Sequence, residues 1–259
     1  MAGARVAVVT GASSGIGEAT ARELARRDWH CLLLARRQER LEQVAGEIGG
    51  EWELCDVADR EQVNEVSARI LERHPAVGLL MNNAGVPARG SFLDIEPELV
   101  ERVIDVNYLG GVWCLRALLP GLQAAAGSGG AHVVNLVSVA GTVAFAPAGA
   151  YSAAKHAQLA FSRSTAALLR GSGIQVLTVM PGFVETEGFP QHSVLSSRLM
   201  RRFVIEPDEV ATKIVDAVES GKREITVPWF PYRLTSIAQA LVPGMFARFV
   251  SASGYRKGA

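Results

Sequence analysis

Short apolar runs alternate along the chain with longer segments in which apolar residues recur every three or four positions. The short runs predict strands at 5–10, 31–35, 52–57, 77–83, 131–138, 174–180 and 224–228. The longer segments predict helices at 16–27, 37–48, 60–74, about 98–126, 150–162 and 207–221. Within the strands the apolar residues are continuous and do not alternate with polar ones, which is typical of strands buried on both faces.

The repeated order of strand and helix predicts an α/β fold. We expect a Rossmann-like, doubly wound parallel sheet of about seven strands with helices on both faces. A length of 259 residues suits one domain that spans 1–259.

Charge and cysteine content narrow the class of protein. Basic and acidic residues number 26 each, so no net positive field draws the chain to nucleic acid. Three dispersed cysteines, Cys31, Cys55 and Cys114, indicate buried reduced thiols and neither a disulfide framework nor a metal site. No cleavable signal segment precedes the first strand, and no run reaches the roughly 18 apolar residues of a membrane span. We therefore expect a cytoplasmic protein without a metal.

A glycine-rich turn, TGASSGIGEAT, follows the first strand and contains Gly11, Gly15 and Gly17. Glycines at such a turn let the backbone approach a pyrophosphate, which the free N–H groups of the next helix then bind. The spacing differs from the G-x-G-x-x-G fingerprint, and an ordinary glycine-rich turn is the alternative interpretation. Its position between the first strand and the first helix favours dinucleotide binding.

The end of the second strand bears on which dinucleotide binds. An acidic residue there would bond the ribose 2′-OH of NAD, but this chain has Arg36 and Arg37. A guanidinium suits a 2′-phosphate, so the sequence favours NADP(H) over NAD(H). The alternative is a solvated start of the second helix.

Tyr151 and Lys155 lie four residues apart in AYSAAKHAQLAFS and therefore on one helix face. A nearby ammonium favours a phenolate, so we expect the pKa of Tyr151 to fall below about 10. A phenol of lowered pKa is a plausible proton-transfer group. Without further context, an accidental pair on a solvated face is the favoured explanation of the spacing.

Further motifs supply that context. In chain order they are TGASSGIG (10–17), the aspartate of CDV (Asp56), NNAG (82–85), Asn107 in DVNYLG, Ser138 in NLVSVAG, YSAAK (151–155) and PGFVET (181–186). Together they resemble the short-chain dehydrogenase/reductase family from about Arg5 to Pro228. The resemblance implies an NAD(P)(H)-dependent oxidoreductase that acts on CH–OH or C=O groups of a small molecule.

The resemblance also implies site residues. Tyr151 would exchange a proton with the substrate oxygen, Ser138 would orient that oxygen, and Lys155 would hold the nicotinamide ribose and lower the tyrosine pKa. Asn107 would anchor a water in a proton relay. The implied cofactor-binding residues are Gly11, Ser13, Ser14, Gly15, Ile16, Gly17, Arg36, Arg37, Asp56, Val57, Asn83, Ala84, Gly85, Tyr151, Lys155, Pro181, Gly182, Val184 and Thr186. The expected substrate-binding residues are Ser138, Phe145, Tyr151, Phe183 and Phe189. For the three phenylalanines the favoured alternative is a place in the core, where single aromatic residues near a strand end more often lie.

Two segments bear on the substrate and on partners. The resemblance implies a mobile substrate loop at about 184–206, and the apolar extension at about 229–259 predicts amphipathic pieces. The extension would roof the pocket, join subunits of a homodimer or homotetramer, or contact a membrane surface peripherally. Each of these favours a lipophilic substrate, such as a steroid, a retinoid-like compound or a fatty-acyl compound.

Two rival functions stay open at this point. A nicotinamide-sensing regulator or scaffold could use the same fold without turnover, because fold alone does not set function. An NAD-dependent dehydrogenase that runs in the oxidative direction is the rival among enzymes.

Overall fold

A computed structural model describes residues 5–90, 92–145, 147–189 and 200–245 of the chain. Two predicted segments therefore lie partly outside the described residues, namely 190–199 of the substrate loop and 246–259 of the C-terminal extension.

Seven parallel strands form the main sheet and confirm the predicted fold. Their bounds are β1 Arg5–Thr10, β2 Trp29–Ala35, β3 Glu51–Leu54, β4 Leu79–Asn82, β5 Ala131–Leu136, β6 Ile174–Pro181 and β9 Glu224–Val227. They lie in the order β3-β2-β1-β4-β5-β6-β9. Because the order reverses between β1 and β4, the loops after these two strands diverge and leave a crevice at their carboxyl ends.

Helices cover both faces of this sheet. They are α1 Gly15–Arg26, α2 Gln38–Ile48, α3 Arg60–Arg73, α4 Pro97–Ile104, α5 Gly110–Ala126, α6 Gly149–Leu168, α7 Pro207–Glu219 and α8 Tyr232–Leu241. One core cluster joins α1, α2 and α7 to the sheet, and a second joins α3, α5 and part of α6 to its other face. Strand β1 serves both cores, since Val8 belongs to the second and Val9 to the first.

A π-helical turn interrupts the long helix predicted at about 98–126. Helix α4 passes into the turn Asp105–Leu109 and then into α5. A π turn holds one residue more than an α turn and often marks a functional site. It contains Asn107, whose side chain faces the loop after β4.

A chain of buried polar side chains connects α6 to the sheet. The amide of Asn82 on β4 donates to Asn135 Oδ1 on β5 at 2.9 Å, and Asn135 donates to Ser162 Oγ on α6 at 2.9 Å. The Ser162 hydroxyl lies 2.7 Å from that of Thr178 on β6. All four side chains are buried. Because an unpaired polar group is costly in a core, this series of hydrogen bonds fixes the position of α6 relative to β4, β5 and β6.

The predicted substrate loop contains regular structure at both ends. Strand β7, Phe183–Val184, pairs in parallel with β8, Val204–Ile205, so the two flanks of the segment at about 184–206 are joined by backbone hydrogen bonds. The 3₁₀ turn Met200–Phe203 leads into β8.

Helix α8, in the predicted C-terminal extension, packs against the domain through Tyr232. The Tyr232 hydroxyl accepts a hydrogen bond from the Phe183 N–H at 3.2 Å and donates one to the Phe203 carbonyl at 2.9 Å. These two hydrogen bonds link α8 to the first residue of β7 and to the residue that precedes β8. Within the described ranges, no helix combines the length and the apolar character needed to cross a bilayer.

Candidate active site

The crevice at the carboxyl ends of β1 and β4 is held together by one hydroxyl. Thr10 Oγ1 donates to the Met81 carbonyl at 3.1 Å and accepts from the backbone N–H groups of Asn83 and Ala84 at 3.0 and 3.1 Å. In the opposite direction, the side-chain amide of Asn83 donates to the Thr10 carbonyl at 2.8 Å and to the Gly11 carbonyl at 3.1 Å. The residues expected to line the cofactor cleft after β4 therefore lie against the glycine-rich turn.

The glycine-rich turn has the shape that a dinucleotide phosphate site requires. Gly11 and Gly15 have φ values of +65° and +58°, which residues with a Cβ rarely adopt. A Cβ at Gly17 would lie 2.3 Å from Asn83 Nδ2, so only glycine fits there. The Ser14 side chain makes no capping hydrogen bond to α1, which leaves the N–H groups of the first turn for an anion. These observations fit a nicotinamide dinucleotide.

The two arginines after β2 have acidic neighbours that the sequence did not indicate. The Arg36 guanidinium lies 3.8 Å from the Asp56 carboxylate, and Arg37 donates to Glu187 at 2.8 Å. Arg37 also donates to the Ser13 hydroxyl and carbonyl at 3.2 and 3.1 Å. No acid adjoins these arginines in the sequence, but the fold brings one carboxylate to each of them. Arg37 lies beside the glycine-rich turn, and Arg36 lies beside the end of β3.

Asp56 and Val57 follow β3 at the same edge of the sheet. Burial opposes ionisation of Asp56, but the hydrogen bond from Arg102 at 2.7 Å and one from the Ala58 N–H keep its carboxyl pKa below the ordinary value. Val57 is buried, and a Cβ at Gly110 would lie 2.7 Å from its side chain. Both residues are thus fixed before any ligand binds.

Ser138 and Tyr151 meet at the end of β5. The Ser138 side chain faces the Tyr151 phenol and acts to lower its pKa, and Ser138 Oγ accepts from the Ala140 N–H at 3.1 Å. Helix α6 begins at Gly149, so Tyr151 stands in its first turn, where the backbone is fixed by packing. A hydroxyl and a phenol that face each other can bind the same substrate oxygen.

Lys155 stands one turn after Tyr151 but faces the sheet. Its ammonium donates to the Leu136 carbonyl at 2.8 Å and to Gln158 Oε1 at 2.8 Å, and it lies 5.8 Å from the centre of the Tyr151 ring. Only 3% of the residue is exposed. Burial lowers the Lys155 pKa to about 7.

The predicted fall in the Tyr151 pKa was wrong. Burial raises this pKa to about 12, and the Ser138 side chain opposes the rise only in part. The lysine does not offset the effect because its ammonium is bound to Leu136 and Gln158. Helical spacing placed the two residues on one face, but it could not indicate that the longer side chain turns away.

Asn107 makes two hydrogen bonds to the backbone of Val86. Its Oδ1 accepts from the Val86 N–H at 2.7 Å, and its Nδ2 donates to the Val86 carbonyl at 3.0 Å. The side chain therefore holds the loop after β4 in place. The expected water anchor would have to use the second lone pair of Oδ1 or the second N–H of the amide.

The three phenylalanines expected at the substrate divide into two groups. The Phe189 ring lies 5.6 Å from the Tyr151 ring, so it borders the phenol. Phe145 and Phe183 instead pack in a cluster with Tyr232, Val139 and Val143. That cluster forms the wall below α8.

The last group of expected cofactor residues follows β6. Pro181 ends that strand, and Val184 is buried in β7. A Cβ at Gly182 would lie 2.0 Å from the Tyr232 ring, and one at Gly15 would lie 3.0 Å from Thr186. Thr186 thus brings this segment next to the glycine-rich turn.

Comparison with known proteins identifies the family. The profile of short chain dehydrogenases matches residues 5–193. The chain belongs to the short-chain dehydrogenase/reductase family.

Individual relatives agree with this assignment. The chain is 30% identical over 278 residues to dehydrogenase/reductase SDR family member 7B of Xenopus laevis, covering 98% of this chain and 83% of the relative. A solved variant of actinorhodin polyketide ketoreductase with NADPH is 28% identical, with a TM-score of 0.78 over 86% of this chain and 95% of that one. A short chain dehydrogenase/reductase of Burkholderia phymatum in complex with NAD is 26% identical, with a TM-score of 0.79 over 92% and 95%. This short-chain dehydrogenase/reductase is therefore a nicotinamide-dependent oxidoreductase.

Sequence reasoning missed several residues of the short-chain dehydrogenase/reductase site. Gln158 could have been found, because it lies three residues after Lys155 on the same helix face. Thr10 could also have been found, because it is the polar last residue of an otherwise apolar strand. Glu187 and Tyr232 had none, because their partners are distant in sequence.

The buried lysine predicts a pH-dependent stability. Between a folded pKa of about 7 and the ordinary 10.5, the unfolded chain binds more protons than the folded one. The contribution of Lys155 to the free energy of unfolding should therefore rise with pH across this window, by up to about 1.4 kcal/mol per pH unit. The variant Lys155→Met should lack this rise in urea unfolding measured from about pH 7 to about pH 10, whereas Lys213→Met, at an exposed position of α7, should keep it. Parallel pH profiles of wild type and K155M would contradict the assigned burial.

Proposed function

We propose that this enzyme interconverts a carbonyl and a secondary alcohol on a lipophilic substrate and prefers NADP(H) to NAD(H). The observation that carries the proposal is that Ser138 and Tyr151 interact at the end of β5, in a sheet whose glycine-rich turn after β1 has the positive φ values of a dinucleotide phosphate site. The pair offers two hydroxyl groups to one substrate oxygen, at the crevice where an open α/β sheet binds its ligand.

The bound dinucleotide would supply hydride transfer between the nicotinamide and the substrate carbon. Tyr151 would hold the proton that is exchanged with the substrate oxygen. A pKa of about 12 keeps the phenol protonated at neutral pH, which suits donation to a carbonyl in the reductive direction. Ser138 would orient the oxygen by a second hydrogen bond.

Lys155 and Asn107 would act at the edges of this pair. The Lys155 ammonium would reach the nicotinamide ribose while keeping part of its contact with Leu136 and Gln158. Asn107 would position the Val86 backbone and hold a water through its remaining hydrogen-bonding capacity.

The remaining cofactor contacts follow the crevice. Ser13, Ser14, Ile16 and the three glycines of the turn would cradle the phosphates, and Asp56 and Val57 would flank the adenine. Asn83, Ala84 and Gly85 would line the cleft, and Pro181, Gly182, Val184 and Thr186 would hold the nicotinamide amide.

Preference for NADP(H) rests on Arg36 and Arg37. Their guanidinium groups offer forked donors for a 2′-phosphate, and the side chain of Arg36 is more than half exposed. The Glu187 carboxylate would compete with the phosphate for Arg37. Solved relatives bind NADPH in one case and NAD in another, so the preference depends on these side chains and not on the fold.

A lipophilic substrate is supported by the apolar surroundings of the phenol. The Phe189 ring lies beside Tyr151, and Phe145 and Phe183 form a second apolar cluster with Tyr232 at the start of α8. A relative that is a polyketide ketoreductase agrees with a large carbonyl substrate.

Assembly and localisation are further parts of the proposal. Helix α6 exposes Ala153, His156 and Ala160 along one face, which suits packing against a second subunit in a homodimer or homotetramer. On α8, Leu234, Ile237 and Leu241 are 47%, 42% and 75% exposed, which suits peripheral contact with a membrane. Three unpaired buried cysteines agree with a cytoplasmic compartment.

The first prediction concerns the phenol. The variant Tyr151→Phe removes the exchanged proton, so kcat should fall by at least about 100-fold. The NADPH dissociation constant should stay within about twofold, because the ring still packs beside Phe189. Tyr108→Phe, a tyrosine of the π turn, serves as the matched control and should retain kcat. Turnover by Y151F close to that of wild type would refute the proposed acid/base role.

The second prediction concerns the competition for Arg37. Glu187→Gln should tighten NADPH binding by up to about fivefold, the scale of one exposed ion pair. It should leave NADH binding unchanged, since NADH has no 2′-phosphate. Arg37→Ala should weaken NADPH binding about tenfold, the scale of a charged hydrogen bond.

Fluorescence titration at constant ionic strength measures both cofactors. The double variant R37A/E187Q is the control, because the gain from E187Q should disappear once the guanidinium is absent. Unchanged NADPH affinity in both Arg36→Ala and R37A would argue for NAD(H).

The third prediction concerns the substrate. Specificity constants measured by NADPH oxidation should be higher for long-chain or polycyclic ketones than for small polar carbonyls. Phe189→Ala should lower kcat/KM about tenfold for the lipophilic ketones, which would lose one apolar contact, and should change it less for the small ones. A preference for small polar carbonyls would rule out the lipophilic assignment.

A further inference from the structure

Three side chains that could bind a metal meet at the end of the sheet opposite the active site. His30 is the second residue of β2, Glu51 is the first residue of β3, and His74 follows the last residue of α3. One nitrogen of each histidine and one oxygen of the glutamate lie within 4.8 Å of one another. None of these residues belongs to the proposed active site.

The backbone brings the three residues together. In the pairing of β2 with β3, Glu51 is the partner of Leu32, so its side chain points to the same face as Leu32 and His30. Helix α3 covers that face and runs back to the amino end of the sheet. The His74 N–H donates to the Ile70 carbonyl at 2.7 Å, which fixes the end of the helix beside the strands.

The arrangement is close to metal geometry. His30 Nε2 and His74 Nε2 each lie 2.8 Å from Glu51 Oε1, and the two rings are 5.4 Å apart. A tetrahedral Zn²⁺ with bonds of about 2.0–2.1 Å needs ligand atoms about 3.3 Å apart. Each nitrogen–oxygen separation would therefore open by only about half an ångström.

The histidines can change from hydrogen-bond donors to metal ligands without losing a net proton. A neutral imidazole carries its proton on either nitrogen, so transfer of the proton to Nδ1 frees the Nε2 lone pair. The other oxygen of Glu51 accepts from Arg73 Nε at 3.1 Å, which leaves Oε1 for a single bond to the metal. Arg73 is itself balanced by Glu53 at 3.0 Å, so its charge is already compensated.

The donor set selects the class of ion. Two imidazole nitrogens and one carboxylate oxygen suit Zn²⁺, Co²⁺, Ni²⁺ or Cu²⁺, whereas Mg²⁺ and Ca²⁺ prefer oxygen ligands alone. All three side chains are partly accessible, with exposed fractions of 29%, 34% and 21%, so an ion can enter. Cys31 lies next to His30 in sequence but points into the opposite core toward Ala21, so its sulfur takes no part.

We propose that His30, Glu51 and His74 form a Zn²⁺ site whose fourth position is open to solvent. The ion would tie the end of α3 to the paired strands β2 and β3, in addition to the side-chain hydrogen bonds that join them there. The expectation from the sequence that no metal binds would then be wrong, because the ligands are separated by more than twenty residues and match no ligand spacing.

Calorimetric titration of the full chain tests the site. The protein should carry no polyhistidine tag and should be freed of metal by dialysis against a chelator. Wild type should bind one equivalent of Zn²⁺. Co²⁺ in its place should give the visible absorption of a tetrahedral nitrogen and oxygen environment.

Matched variants distinguish a built site from scattered surface binding. His30→Gln, His74→Gln and Glu51→Gln should each weaken Zn²⁺ binding by at least about 100-fold, the upper end of the loss caused by removing an outer hydrogen-bond partner. His156→Gln, at an exposed histidine of α6, should bind as wild type does. Zn²⁺ should also raise the thermal unfolding midpoint of wild type and of H156Q, but not of the three ligand variants.

Two outcomes would overturn the proposal. Wild-type protein that takes up no stoichiometric Zn²⁺ rejects it, whatever the folding of the variants. Retention of wild-type affinity in both histidine variants rejects it as well. Neither result bears on the proposed oxidoreductase activity, because the cluster lies at the opposite end of the sheet.

Discussion

Helix α6 is tied to the sheet by buried hydrogen bonds, and the catalytic arrangement depends on them. The Lys155 ammonium binds the carbonyl at the end of β5, and Ser162 two turns later joins the polar chain through Asn135. The same end of β5 leads to Ser138, which therefore stands opposite Tyr151 in the first turn of the helix. Apolar packing alone would allow the helix to slide, whereas paired polar groups in a core define one position.

This anchoring is made of groups that are costly to bury. Lys155 is only 3% exposed, and burial lowers its pKa to about 7 because the charged form loses its contact with water. Burial raises the pKa of the Tyr151 phenol to about 12. Perturbed groups of this kind concentrate at functional sites, and here desolvation causes both shifts.

The sequence predicted the fold, and its failures at the candidate site share a physical cause. Continuous apolar strands indicated the parallel sheet, and the order of motifs indicated which strand ends meet. Periodicity could not show that Lys155 turns toward Leu136, that Arg37 meets Glu187, or that Asn107 lies in a π turn and binds Val86. Each of these depends on the direction of a long or polar side chain relative to a neighbour far away in sequence, and helical or strand spacing carries no such information.

Arg37 bridges two regions that are usually treated as separate. Through Ser13 it contacts the phosphate turn, and through Glu187 it contacts the segment that leads to Phe189 beside the phenol. Under the proposed function, mutations of Arg37 that change the nucleotide preference would also alter the segment beside the Tyr151 phenol. Nucleotide preference and substrate preference should therefore change together when this region is mutated. Engineering of one preference should include compensating substitutions for the other.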